Sequence, residues 1–210
     1  MTTPINPLDG IVRILKADGE STAGTGFFAG KSNNIVTCAH VIQLADAKPG
    51  STVQFVFHSD PQKHNYKAKV SSEGWRVPNA EDIAFLLPED GDQKLELINR
   101  VSLGTSIYTQ GRALNTFGYP STTPVEGQNG SCLVIGRTQV NGIEVLQLRS
   151  QEVSYGFSGA PVWDPASNFV VGMVSSFIPD GADSGRSHQE TAFITPDRID
   201  STRKSATHSS

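Results

Sequence analysis

The chain has 210 residues, 37% of them hydrophobic and 18% charged, which excludes a disordered chain and suits one substantial globular domain or two small packed lobes. A formal net charge of -4 with no dense Lys/Arg run gives no electrostatic footprint for nucleic acid or an anionic membrane. Pro4, Pro7, Asp9 and Asp18 interrupt the first twenty residues, which hold no apolar core of a secretory signal, and no stretch approaches the ~20 apolar residues of a membrane span; the expectation is a soluble cytoplasmic protein with neither partner.

Twenty Gly and twelve Pro lie between short apolar runs, the pattern of many strands joined by tight turns. Ile11–Leu15, Gly26–Ala29 and Ile35–Cys38 read as a meander, punctuated by Asp18-Gly19 and Lys31-Ser32-Asn33-Asn34. Val53–Phe57, Lys67–Val70 and Ile83–Leu87 follow, the first two with the alternation of half-buried strands. After a polar connector around Glu89–Asp92, strands resume at Ala113–Pro120, Cys132–Ile135, Ile143–Leu148, Ala160–Trp163, Val170–Val174 and Ala192–Thr195. Two β lobes of similar size are expected, with Ser201–Ser210 a polar tail or linker that has nothing to anchor it. Cys38 and Cys132 are too few for a disulfide framework and match no zinc spacing.

The sharpest local signal is Gly156-Phe157-Ser158-Gly159-Ala160-Pro161. Small residues flank a serine and a proline follows, so a turn can present the hydroxyl beside the N–H groups of Gly156 and Ser158 as oxyanion donors. The same six residues would also serve as an ordinary Gly/Ser turn. A serine hydroxyl is a weak nucleophile, so it needs a base, and the base needs an acid to orient it. His40, after the third predicted strand, and Asp82, before the sixth, supply those groups in the first lobe. Each taken alone reads equally as a structural histidine and a turn residue.

Together Thr37-Cys38-Ala39-His40, Asp82-Ile83-Ala84 and Gly156–Pro161 resemble the trypsin/chymotrypsin superfamily, in its order His, Asp, Ser. Gly24-Thr25-Gly26-Phe27-Phe28, Val171–Ser175 and Ala192–Pro196 are similar to further strands of that family, so the likeness runs over about residues 10–198. It implies an all-β fold of two packed six-stranded antiparallel barrels, roughly residues 10–92 and 100–198, with a cleft between them and a tail at 199–210. It implies a serine endopeptidase acting on protein or peptide substrates through His40, Asp82 and Ser158, with no metal or cofactor. By the same analogy Glu152, Ser175, Phe177 and Thr191 would wall the substrate pocket, and an inward Glu152 would favour a basic side chain.

Phe157 stands where secreted members carry the Asp that pairs with a newly freed N-terminus, and Val41 where they carry a bridged Cys. The oxyanion loop is therefore expected to take shape without proteolytic activation. The resemblance extends to peptidase domains of bacterial multidomain proteins, joined to a regulatory STAND/NACHT-type NTPase or a repeat sensor, which implies a defence effector. Two other readings stand beside it. An α/β-hydrolase elbow would use Ser158 with Asp180 or Asp183 and His188, but Pro161 and Pro165 oppose the helix it needs. A silent double-barrel protein-binding module would keep the fold without the chemistry.

Overall fold

The computed structural model describes residues 6–30, 34–78, 80–89, 100–140, 142–178 and 189–194. The first six strands are β1 (Ile11–Leu15), β2 (Thr22–Phe28), β3 (Ile35–Thr37), β4 (Thr52–Phe57), β5 (Tyr66–Val70) and β6 (Ala84–Pro88). They close into an antiparallel barrel in the order β1-β2-β3-β6-β5-β4. The second set is β7 (Ala113–Gly118), β8 (Gln128–Val140), β9 (Ile143–Ser150), β10 (Pro161–Trp163), β11 (Val170–Ile178) and β12 (Gln189–Ile194). These close as β10-β11-β12-β9-β8-β7, so the expected double barrel is the observed fold.

Aromatic packing fills the first barrel. Phe27, Phe28, Phe55 and Phe57 are fully buried, and each such side chain contributes about 1.5–3 kcal/mol of burial free energy. Phe57 meets Phe55 and Tyr66 edge to face, which adds quadrupole attraction to the burial. The second barrel has a smaller aliphatic core around Leu114, Leu148, Val162 and Val174, into which Phe157 inserts. Phe117, Tyr119, Trp163 and Met173 of the second barrel pack into the cluster of the first, so apolar side chains join the two. The connector is shared as well: Val101 bridges Ala29 of the first barrel, and Leu103 bridges Val170 of the second.

Beyond shifted strand ends, as at β2 and β11, two elements differ most from the sequence expectation. Strand β8 spans 13 residues, whereas only Cys132–Ile135 reads as a strand. Its first half alternates in burial, but Gly136–Val140 faces outward in a hairpin arm tied by Arg137–Glu144 at 2.6 Å, and a polar arm has no apolar periodicity to detect. A short helix α1 (Ala39–Leu44) follows β3; six residues are too few to show a helical period. Residues 199–210, and Asp180, Asp183 and His188, lie outside the described residues.

Candidate active site

Helix α1 places His40 in its first turn, where backbone N–H groups lack intrahelical partners. The N-cap, Cys38, makes no side-chain cap. Asp82 supplies one from a distant part of the chain: its Oδ1 accepts from His40 N–H at 3.0 Å, and its Oδ2 pairs with His40 Nδ1 at 2.7 Å. One carboxylate thus fixes both the backbone and the ring of the histidine. Asp82 has φ +53°, a left-handed conformation that Asp tolerates better than most residues. The loop before it is closed at its base by the Arg76–Ile83 bridge and an Arg76–Glu81 ion pair at 3.3 Å, which holds Asp82 in that conformation. Asp82 is 7% exposed, so little water competes for its oxygens.

Ser158 arrives from the second barrel. Its loop is held by β2 of the first: Thr25 N–H donates to Ser158 O at 2.9 Å, and Thr25 Oγ1 donates to Gly156 O at 2.8 Å. Gly159 takes φ +84°, and a Cβ there would collide with Thr25 O, so this crossing tolerates only glycine. Phe157 is fully buried, packed against Gly118 and Gly130. Among the described residues no backbone carbonyl accepts from Gly156 or Ser158 N–H, so both expected oxyanion donors are open.

His40, Asp82, Gly156, Ser158 and Ser175 line one cleft of about 720 Å³ between the barrels. No hydrogen bond joins Ser158 to the His40 ring among the described residues. Such bonds are often loose in empty sites and tighten around substrate. The cleft is otherwise mainly apolar, with Leu44, Pro78, Tyr119 and Tyr155 on its walls.

The expected pocket residues separate. Ser175 lines the cleft and sits at the irregularity between Val174 and Ser176 in the β11–β12 register. Phe177 and Thr191 are partners across that pair, and their side chains lie outside the described residues. Glu152 belongs to a different depression, beside Arg149, Ser150 and Ser131. Its Oε2 accepts from Ser131 Oγ at 3.2 Å and Ser150 Oγ at 3.3 Å, because the turn at Ser150, whose hydroxyl accepts from Glu152 and Val153 N–H, directs the carboxylate to that side. No acid from this position reaches the cleft.

Cys38 Sγ, a ring nitrogen of His40 and an Asp82 oxygen lie within 4.8 Å of one another, the donor types of a transition-metal site. They are engaged otherwise: His40 and Asp82 with each other, and the Cys38 thiol with Val174 O at 3.3 Å. Burial, then the neighbouring Asp82 carboxylate, pushes the Cys38 thiol up, so it is neither a ready ligand nor a nucleophile. Cys132 is likewise free and buried, its thiol pushed up by burial to about 12. Sequence reasoning missed Thr25 and Thr37 as supports; Thr37 Oγ1 donates to Thr25 O at 2.6 Å. Their only sequence signal is membership of the two motifs, Gly24–Phe28 and Thr37–His40.

Comparison with known proteins bears on the family and the fold. Residues 24–173 match the profile of the trypsin-like peptidase domain. The fold is similar to the MamO protease domain from Magnetospirillum magneticum in its apo form, at 17% identity and TM-score 0.65 over 93% of this chain and 96% of that one. It is similar to the HtrA-type protease AlgW, solved with a decapeptide, at 15% identity and TM-score 0.66, covering 89% of this chain and 52% of AlgW. It also resembles Deg5, at 19% identity and TM-score 0.60 over 91% and 84% of the two chains. No curated protein matches at a significant level.

Proposed function

The chain belongs to the trypsin-like peptidase domain family, and from that premise we propose that it is a serine endopeptidase acting through His40, Asp82 and Ser158. The observation that carries this reading is the 2.7 Å contact between His40 Nδ1 and Asp82 Oδ2, opening on the same cleft as Ser158.

In this scheme the free nitrogen of His40 takes the Ser158 hydroxyl proton as the oxygen attacks the scissile carbonyl, and then gives that proton to the leaving amine. Asp82 accepts a hydrogen bond from His40 Nδ1–H, fixes the tautomer and, remaining ionised, stabilises the imidazolium. The Gly156 and Ser158 N–H groups receive the charge that develops on the carbonyl oxygen. Water, deprotonated by His40, attacks the acyl carbonyl; the acyl–oxygen bond breaks, the peptide leaves as its carboxylic acid, and His40 returns the proton to Ser158 Oγ. The steps require no metal or cofactor. Glu152 lies outside the cleft and does not support selection of a basic side chain.

The biological setting we propose is a cytoplasmic bacterial effector, its peptidase domain joined to a regulatory NTPase or sensor. Support comes from the resemblance described above and from two buried, unbridged cysteines, which suit a reducing compartment. A reading frame that closes after Ser210 would count against the joined domain.

The activity is tested by digesting a mixed peptide library and reading cleavage sites by mass spectrometry. Ser158→Ala is expected to lower turnover by about 10⁶-fold, the cost when a triad acts as a unit. A loss below about tenfold would reject the mechanism. An uncut library would leave a protein-binding module.

A further inference from the structure

The oxyanion loop is a tight turn. Phe157 N–H donates to Ser154 O at 3.1 Å, so Tyr155 and Gly156 are its central residues. Gly156 has φ +102°, whereas Tyr155 is not among the left-handed residues. Positive φ confined to the third position marks a type II turn. The central peptide of that turn carries the Gly156 N–H. Rotating this one peptide converts type II to type I and would turn the donor away from the cleft. The placement of the donor therefore depends on how the turn is anchored, and the position that serves this in secreted relatives is here Phe157, an apolar side chain with no charge to pair.

Thr25 lies at the right place. It is fully buried, and its Oγ1 donates to Gly156 O at 2.8 Å while accepting from Tyr119 N–H at 3.3 Å. The peptide between Gly156 and Phe157, which follows the donor-bearing one, is thus clamped at both ends, its oxygen by Thr25 and its N–H by Ser154 O, and this anchors the end of the turn from which Gly156 presents its N–H. Tyr119 O packs against Gly156 so closely that a Cβ would collide with it. Thr25 N–H meanwhile fixes Ser158 O. We propose that Thr25 is a positioning residue that anchors the oxyanion turn from the first barrel, fixing the carbonyls of Gly156 and Ser158 and through them the placement of the two donor residues. The proposal rests on the serine endopeptidase reading, and Thr25 touches neither substrate nor reacting atoms.

Thr25→Val keeps the shape and removes the hydroxyl; Thr25→Ser keeps the hydroxyl. Loss of one direct oxyanion donor costs about 10²–10³-fold in kcat, and an indirect support should cost less. The Val variant is expected to lose about tenfold or more in kcat with KM within about threefold. Its affinity for a peptidyl boronic acid, which forms a tetrahedral adduct on Ser158, should weaken by a similar factor. The Ser variant should stay within about twofold of wild type in both measures.

A Val variant with wild-type kcat, or a Ser variant that loses as much as Val, overturns the proposal. So does boronate affinity that fails to follow kcat. If Thr25→Val does not fold, Thr25→Ala is the second hydroxyl-free variant, and failure of both assigns Thr25 a purely structural role, which also overturns it. A fluorophosphonate probe separates the two levels. Wild-type protein that does not react rejects the endopeptidase reading itself, whereas reactive wild type with an unaffected Val variant rejects only the role of Thr25.

Discussion

Asp82 does two things with two oxygens, and substitutions separate them. Asp82→Asn keeps a carbonyl oxygen to cap His40 N–H but loses the anion beside Nδ1. Turnover should fall by about 10⁴-fold through the wrong tautomer, with little change in the urea midpoint. Asp82→Ala removes the cap as well and should cost a further ~1 kcal/mol of stability. An Asn variant as unstable as the Ala variant would contradict the capping role. Phe157 carries a different load: it fills the second barrel's core beside Gly118, so Phe157→Ala should destabilise by about 3–5 kcal/mol in denaturant titration. At this scale the sequence was informative where chemistry demands particular residue types, as at His40, Asp82 and Ser158. It was uninformative where a residue acts through its position in space. Thr25 meets Gly156 across 131 positions of chain, and Glu152 turns away because of a hydroxyl two residues earlier.

The elements explain why these residues meet. Strand β2 crosses under the nucleophile loop so closely that a Cβ on Gly159 would collide with Thr25 O and lie 2.5 Å from Thr37 Oγ1. Gly159→Ala should therefore cost well over the ~1 kcal/mol that left-handed backbone alone imposes on an alanine. Gly111→Ala is the control: φ there is +74° with nothing near the added methyl, so it should show only that backbone cost. Equal losses for the two variants, read by urea unfolding, would remove the close crossing from the account. Most strands were legible as short β-prone apolar runs between turn residues: β5 alternates, whereas β1, β2, β3 and β10 are buried on nearly every residue. Helix α1 was not, being six residues long and dependent on Asp82 for its cap. Nor was the outer half of β8, whose exposed arm pairs with β9 through backbone bonds that leave no apolar trace.

Across the whole molecule, the joint between barrels has a titratable member. His58 follows β4, its ring 4.3 Å from that of Phe117 and its Nδ1 3.3 Å from the Tyr119 hydroxyl. Burial, then nearby Lys63, lowers its pKa below the ordinary 6.5, with Asp9 opposing. The folded protein therefore binds fewer protons at His58 than the unfolded chain does. Its contribution is present above pH 6.5 and is lost as pH falls below that value. Thermal midpoints measured from neutral pH downward should decline more steeply in wild type than in His58→Gln; parallel curves would contradict this. A second decline belongs to Asp18, held at about 2 by hydrogen bonds from Ser21 and Glu20, and to Asp60, also at about 2 because bonds from His64 and Gln62 outweigh its burial. Both carboxylates stabilise the fold above pH 3.8, and that support is lost as pH falls toward 2.

The double barrel exists, in this account, to bring His40 and Asp82 from one side against Ser158 from the other. The most direct measurement is intact-protein mass spectrometry after reaction with a fluorophosphonate probe, followed by peptide mapping of the adduct. The account predicts a single adduct on Ser158, absent in Ser158→Ala and strongly slowed in His40→Ala. An unmodified wild-type protein, or an adduct at equal rate in His40→Ala, would contradict it.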